Sequence, residues 1–291
     1  MSSFRIPPAL KAVFNSFPLL IIPDDPLPAG CPRPSPEAPA LYVFTTPEDA
    51  ARGNPSFNPS CLKWQTYLKF CGINYRIVPS NNHASPSRAL PFLVTAGTVA
   101  STLPSNHLGK WARLNGNAPK EISAENPQVQ AFLSLVNSQL RDAWLYALFL
   151  EPNNFYNLSS VHYRSTVASV VNIFLSHQMQ SAATQELLQA RPGGVISADD
   201  IYADAESAVS ALSTVLGDDE WFFGGKEPGL FDATLFGYLH LILTLKWDEK
   251  EAGLVRAVKK HENLVGHEER IRMKMYPNAP KPSAWVWVEG S

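Results

Sequence analysis

The 291-residue chain has few cysteines, few charged residues and no long apolar run. Its cysteines are Cys31, Cys61 and Cys71. An odd number of cysteines without paired motifs argues against a disulfide-stabilised secreted protein and is typical of a reducing compartment. The apolar runs are far shorter than the roughly 18 residues that a helix needs to span a bilayer. We therefore expect an unprocessed chain that faces the cytosol.

Charge is also scarce and balanced. Lys and Arg number 24 against 26 Asp and Glu, so the basic excess typical of a nucleic-acid-binding protein is missing. Charged residues make up 17% of the chain, against about a quarter in typical proteins. Such a surface is explained either by a partner that covers part of it or by an ordinary enzyme with an uncharged polar surface. The seven histidines show no metal-ligand spacing, and we expect neither a metal nor a cofactor.

Residues 1–40 form a proline-rich arm that cannot fold into a packed domain alone. The arm nevertheless contains many large apolar side chains, which would remain exposed to water in a free linker. Either it packs on its own domain, or it packs on another protein. The candidate partner-binding residues of the arm are Phe14, Phe17, Leu19, Ile21 and Ile22.

Residues 41–116 alternate between strand and helix patterns. The predicted elements are a strand at 41–44, a helix at 61–71 with Ser60 as its N-cap, a strand at 74–78, a hairpin of 90–94 and 98–102, and a helix at 105–114. The order βαβ, then ββ, then α predicts a four-stranded sheet with helices.

Residues 117–277 show helical spacing and no convincing strand. Asn126 followed by Pro127 marks a helix start, and Ser197 with Asp200 forms a capping box. The predicted helices are 127–151, 158–179, 197–216, a buried central helix at 231–245, and one last amphipathic helix containing Leu254 to Ile271. Residues 278–291 form an aromatic tail, in which Trp285 and Trp287 are further candidates for partner binding.

An α+β chain in which a small thioredoxin-like domain precedes an all-helical domain has the layout of the glutathione-transferase superfamily. Two segments resemble the metaxin family more specifically. The first is Ser60-Cys-Leu-Lys-Trp-Gln-Thr-Tyr-Leu-Lys-Phe-Cys-Gly72 with Ser85-Pro-Ser-Arg-Ala-Leu-Pro-Phe92. The second begins at Trp221-Phe-Phe-Gly-Gly-Lys-Glu-Pro-Gly-Leu-Phe-Asp232 and continues to Leu239. The match runs with gaps from about residue 41 to Pro277.

The resemblance implies a function in membrane-protein assembly. Metaxins belong to the mitochondrial sorting and assembly machinery, which inserts β-barrel proteins into the outer membrane. The chain is most similar to the smaller, metaxin-2-like subunit. This implies a non-enzymatic scaffold or receptor, peripheral on the cytosolic face of that membrane. The implied partners are the β-barrel core subunit, a larger metaxin-like subunit and the β-signal of barrel precursors.

Two residues have expected structural roles in such a fold. Pro91, after Leu90, occupies the place of the cis-proline of thioredoxin-like folds. Asp232 occupies the acidic position of the superfamily's capping box for the central helix. Gly229 stands at the N-cap without a side-chain acceptor, so half of that reciprocal pair is missing.

An enzymatic function is the first alternative. A transferase uses a hydroxyl or thiol near the start of its first helix, where Cys61 and Ser60 lie. It also needs an acid–serine pair after the fourth strand, but Ala100-Ser-Thr-Leu-Pro-Ser105 contains no acid. We therefore predict no catalytic residues. The second alternative is an interaction module of another cytosolic assembly, such as the translation or tRNA-synthetase machinery.

Overall fold

In the computed structural model the described residues are 37–97, 100–122, 126–159, 169–191, 193–250 and 252–279. All of them belong to one unit, Pro34–Ser291. The candidate partner-binding residues of the arm and of the aromatic tail lie outside the described residues.

Four short strands form a mixed sheet in the order β2-β1-β3-β4. They are β1 Ala40–Val43, β2 Arg76–Pro79, β3 Phe92–Val94 and β4 Thr102–Pro104. The central strand β1 pairs in parallel with β2 and antiparallel with β3, so that Leu41 lies between Ile77 and Leu93. All four residues of β1 are buried, as the uninterrupted apolar run predicts.

The predicted hairpin is confirmed, but the predicted bounds of its second strand are wrong. β4 begins at Thr102, where the predicted second strand ends. Thr95 and Ser101, which flank the connection between β3 and β4, are bonded to each other. The backbone N–H of Thr95 donates to the Ser101 carbonyl at 3.0 Å, and that of Ser101 donates to Thr95 Oγ1 at 2.9 Å.

Three helices pack with the sheet: α1 Pro47–Arg52, α2 Pro59–Phe70 and α3 Ser105–Asn115. The short helix α1 was not predicted, although Thr46 caps it by accepting from the N–H of Asp49. The prediction of Ser60 as the N-cap of α2 is wrong. Asn58 takes that position and accepts from the N–H of Cys61 at 3.2 Å, because Pro59 occupies the first turn.

The second part of the chain is helical, and its described residues contain no strand. Its α-helices are α4 Pro127–Leu135, α5 Arg141–Leu145, α6 Pro152–Asn154, α7 Ser169–Ala190, α8 Ala198–Leu216, α9 Leu230–Thr244, α10 Gly253–Lys259 and α11 Glu262–Met275. The π-helical turn Val136–Leu140 joins α4 to α5, and a second, Tyr146–Leu150, extends α5, so that one helical run confirms the predicted helix 127–151. Within the described residues, no helix is long and apolar enough to cross a membrane.

Two other predicted boundaries are wrong. The second long helix does not end at Met179 but continues as α7 to Ala190, and it stops before the left-handed glycines at 193 and 194. The last predicted helix is broken at Lys260 and His261 into α10 and α11. Apolar spacing continues across this break, since both helices bury one face, so periodicity did not reveal it.

Helices α2 and α9 join the two parts of the chain. Leu62 of α2 packs in the core of the helical part, whereas Ala233 of α9 packs in the core beneath the sheet. The helices approach closely at Gly237, where an added Cβ would lie 2.6 Å from the Pro59 carbonyl oxygen. The predicted central helix is confirmed, because every residue of α9 from Phe231 to Leu243 is buried.

Candidate functional site

The start of α2 is the position where a transferase would hold its reactive group. Cys61 lies there, but its side chain is 0% exposed and belongs to the core beneath the sheet. Burial raises the pKa of the Cys61 thiol to about 12. A thiol with this pKa stays protonated at neutral pH, and the thiolate is the reactive form. Cys61 is therefore a core residue and not an activated nucleophile.

Ser60 differs from its neighbour because it is exposed on the first turn of α2. At the corresponding end of the sheet, α3 begins at Ser105 after Pro104. The first turn of α3 has no acidic residue and no side-chain cap. Ser60 therefore has no carboxylate partner from this segment, which is the one that in transferases carries the acid–serine pair.

The Leu90–Pro91 peptide bond is cis, and Pro91 is buried at the entry to β3. The backbone N–H of Leu90 donates to Asn82 Oδ1 at 3.1 Å. Pro91 thus occupies the cis position expected for it, and the backbone N–H of the residue before it is bonded within the protein.

Asp232 is a buried junction between three segments. Its Oδ2 accepts from the N–H of Gly229 at 2.8 Å, which is the acidic half of a capping box. Its Oδ1 accepts from the N–H of Phe222 at 3.1 Å and lies 2.9 Å from Nε2 of His267 on α11. The carboxylate therefore fixes the start of α9, the turn before it and the last helix.

The missing half of the cap comes from a residue that the sequence patterns did not indicate. Glu121, in the linker between the two parts of the chain, accepts from the N–H of Leu230 through Oε2. An added Cβ on Gly229 would lie 2.6 Å from Oε2 and 2.9 Å from Cβ of Glu121. Glycine is thus the residue that leaves room for this carboxylate. The absence of a Ser or Thr at residue 229 was the one available signal that the acceptor would come from elsewhere.

The other oxygen of Glu121 faces the first domain. Oε1 accepts from the hydroxyl of Tyr67 on α2 at 2.9 Å and lies 3.9 Å from Nη1 of Arg113 on α3. Burial, and secondly the Glu121 charge, raise the pKa of Tyr67 well above its ordinary value. One carboxylate therefore connects the sheet domain to the start of α9.

The end of α11 provides a second connection to α2. The hydroxyl of Tyr276 lies 2.9 Å from Thr66 Oγ1. Lys69 donates to the Met275 carbonyl at 2.8 Å and lies 4.2 Å above the ring of Tyr276. Together with Glu121, these contacts join α2 to the helical part of the chain.

His240 is buried on α9, with Nδ1 2.8 Å from Glu268 Oε1. Glu268 also pairs with Arg272 at 3.3 Å. No group of three His, Cys, Asp or Glu side chains within the described ranges is arranged to hold a metal ion.

Two family models match the chain. Residues 59–154 match a glutathione S-transferase N-terminal domain, and residues 205–271 match a glutathione S-transferase C-terminal domain. Among solved structures, glutathione transferase Omega 2S from Trametes versicolor, in complex with 2,4-dihydroxybenzophenone, aligns with a TM-score of 0.49 at 14% identity. That alignment covers 83% of this chain and 92% of the other.

Several curated relatives are metaxins. Metaxin-2 of Homo sapiens is 26% identical over 253 residues, which is 86% of this chain and 93% of the relative. Metaxin-3 of Xenopus laevis is 30% identical over 194 residues, or 64% of this chain and 62% of the relative. Metaxin-1 of Mus musculus is 29% identical over 202 residues, which is 67% of this chain and 63% of the relative. The chain therefore spans less than two thirds of the Metaxin-3 and Metaxin-1 relatives.

The matched models, the sheet-plus-helices architecture and these relatives agree. The chain belongs to the metaxin family, within the glutathione-transferase-like superfamily.

Proposed function

We propose that the chain is a non-enzymatic scaffold or receptor subunit of the mitochondrial outer-membrane sorting and assembly machinery. In this proposal it acts on the cytosolic face, in the recognition and insertion of β-barrel precursors. Membership of the metaxin family supports the choice of machinery. The structural observation that carries the non-enzymatic part is the complete burial of Cys61 at the start of α2.

The chemistry around α2 favours docking over catalysis. The thiol that could have been activated by the helix N-terminus is protonated and enclosed. The segment before α3 provides no carboxylate to hold the ammonium group of a γ-glutamyl substrate. Burying that charge without a partner would weaken binding strongly. The buried thiol and the missing carboxylate therefore support a non-enzymatic use of this fold.

The proposed partners are the β-barrel core subunit, a larger metaxin-like subunit and the β-signal of precursors. We assign the principal contacts to the apolar arm, and secondary contacts to Trp285 and Trp287. In this proposal the protein is peripheral and is held at the membrane by protein contacts.

Affinity purification from detergent-solubilised mitochondria tests the assignment. We expect the tagged full-length chain to retain a β-barrel subunit and a second metaxin-like subunit. Recovery of a soluble translation or tRNA-synthetase assembly, with no barrel subunit, would refute the proposal and favour the interaction-module alternative.

A truncation that lacks residues 1–36, and so leaves β1 intact, tests the role of the arm. We expect it to lose the complex and to keep the circular dichroism spectrum of the folded chain. A finer variant replaces five apolar residues of the arm with serine. Its control replaces three prolines of the arm, which lie outside that apolar set, with serine. The test residues are Phe14, Phe17, Leu19, Ile21 and Ile22, and the control residues are Pro32, Pro34 and Pro36. Full retention of the complex by the apolar-to-serine variant contradicts the proposed contact.

The exposure of Ser60 favours one second candidate, a glutathione-dependent transferase that uses this hydroxyl. Retention of the chain on immobilised glutathione, abolished by Ser60→Ala and unaffected by Cys61→Ala, would establish it. We expect no retention of any of the three proteins.

A further inference from the structure

A solvent-open cleft lies where the linker, α4 and the start of α9 meet. Its floor is apolar and includes Val129, Leu133, Phe223 and Phe231. Ile122 also lines the cleft and is 44% exposed, so its side chain is accessible to a partner. None of its lining residues belongs to α2, and the proposed function assigns no contact to it.

Phe223 shapes this cleft. Its backbone lies in the left-handed region, at φ 60° and ψ 30°, which is an outlier for a bulky side chain. Its ring packs against Phe231 at 4.9 Å and Phe132 at 6.1 Å between centroids, yet it is only partly buried. The remaining ring surface forms part of the cleft wall.

The loop that carries Phe223 is acidic. Residues 218–227 contain four carboxylates and one lysine. The carboxylates of Asp218, Asp219, Glu220 and Glu227 are exposed, and none forms an ion pair within the described residues. Glu227 lines the cleft, and Asp219 Oδ2 lies 4.0 Å from the position of an added Cβ on Gly224, directly beside Phe223.

The size of the cleft excludes a ligand as large as glutathione. It encloses about 30 Å³, which holds one or two water molecules. Small-molecule sites usually measure roughly 300 Å³ or more. A protein segment needs no such volume, because one large side chain can lie across Ile122 and Phe223 while its neighbours remain on the rim.

We propose that this cleft docks a basic, apolar segment of another protein, with a large apolar side chain on Phe223 and a flanking Lys or Arg beside Asp219 and Glu227. The carboxylates at the rim select the charge of the segment, and the apolar floor selects the side chain between the basic residues. Complementary rim charges act mainly on association rate and specificity, so the affinity falls as salt is raised.

The test uses the full-length chain and a fluorescein-labelled peptide, Gly-Lys-Phe-Leu-Lys-Gly, with fluorescence anisotropy as the readout. A second peptide has Glu in place of both lysines, and a third has Ala in place of Phe and Leu. We expect the lysine peptide to bind at least about tenfold more tightly than either of the others.

Charge reversal at the rim locates the site. Asp219→Lys combined with Glu227→Lys should weaken binding of the lysine peptide about tenfold or more and improve binding of the glutamate peptide. The control is Glu249→Lys, an exposed carboxylate beyond the opposite end of α9, which should leave both affinities unchanged. These surface changes leave the core intact, so folding is not at issue.

Three results would overturn the proposal. They are equal binding of the lysine and glutamate peptides, an equal effect of Glu249→Lys and the rim variant, and no binding of the lysine peptide at about 1 mM protein. Concentration-dependent self-association that the rim variant abolishes, without peptide binding, would instead assign the cleft to a second copy of the chain. Loss of the mitochondrial complex on deletion of the arm leaves this proposal unaffected, because the peptide assay requires no complex.

Discussion

Glu121, in the linker, caps the N-terminus of α9, and its removal should lower the free energy of unfolding. Glu121→Ala deletes the acceptor for the N–H of Leu230, and loss of a helix cap costs about 1 kcal/mol. It also leaves the hydroxyl of Tyr67, which is 0% exposed, without its partner, at about 1–3 kcal/mol. We therefore expect a loss of about 2–4 kcal/mol in the free energy of unfolding.

Gly229→Ser tests the same geometry from the other side. The backbone of Gly229 is extended, at φ −104°, which serine adopts readily and which suits an N-cap. The new Cβ would nevertheless collide with Glu121, so the single change should cost about 1–3 kcal/mol. In combination with Glu121→Ala the collision with Oε2 disappears, only the 2.9 Å contact between the two Cβ atoms remains, and the serine hydroxyl caps the helix. The double variant should therefore be more stable than the sum of the single effects predicts, by at least about 1 kcal/mol.

The assay is urea denaturation followed by far-ultraviolet circular dichroism. Tyr67→Phe in the Glu121→Ala background should add little further loss, since it removes the unpaired hydroxyl. The control is Glu227→Ala, a neighbouring exposed carboxylate that accepts one long bond, 3.4 Å from the N–H of Lys120. It should change stability by less than about 0.5 kcal/mol. Additive single effects in the Glu121 and Gly229 pair would refute the proposed cap.

Three further predictions concern the close contact of the domains and the buried thiol. Gly237→Ala should destabilise the chain by about 1–3 kcal/mol, because its Cβ meets backbone. The control, Gly266→Ala, should be neutral or stabilising by up to about 1 kcal/mol, because its Cβ meets only the end of a flexible arginine at 3.4 Å. Thermal denaturation of both variants checks this. Tyr276→Phe removes the bond to Thr66 and should lower the free energy of unfolding by about 1 kcal/mol. In a chain that already carries Thr66→Val, Tyr276→Phe should add no further loss. An undiminished loss in that background contradicts the pairing. Because the pKa of Cys61 is raised, the folded state keeps the thiol proton above about pH 9, whereas the unfolded state loses it. The free energy of unfolding should therefore fall from about pH 9 towards pH 12, by up to about 1.4 kcal/mol per pH unit. Cys61→Ala should reduce this slope by the contribution of one proton.

Interactions between near neighbours in the chain could be predicted from the sequence. The Ser197 hydroxyl accepts from the N–H of Asp200, and the acidic half of the α9 cap joins Asp232 to Gly229. Each pair spans three residues, so a local pattern is sufficient to indicate it. The burial of α9 was equally accessible, because a helix that is apolar on all sides has to lie within a core.

Local competition between caps was harder to predict. Ser60 and Asn58 are both good N-cap residues, and the choice depended on Pro59 taking the first helical position. Cys61, a candidate nucleophile from its place in the sequence, lies in the core because α2 packs that side chain beneath the sheet.

The sequence by itself determined the order of the strands and of the main helices, the two-part fold and the half-formed cap at Gly229. Only the tertiary structure placed Glu121 against Leu230, 109 residues away, and Tyr276 against Thr66, 210 residues away. Such pairs carry no periodic signal, because they depend on how α2 and α9 dock rather than on the conformation of any one segment. The cleft beside Phe223 belongs to the same class, since its walls come from a linker, a helix and a turn that only folding brings together.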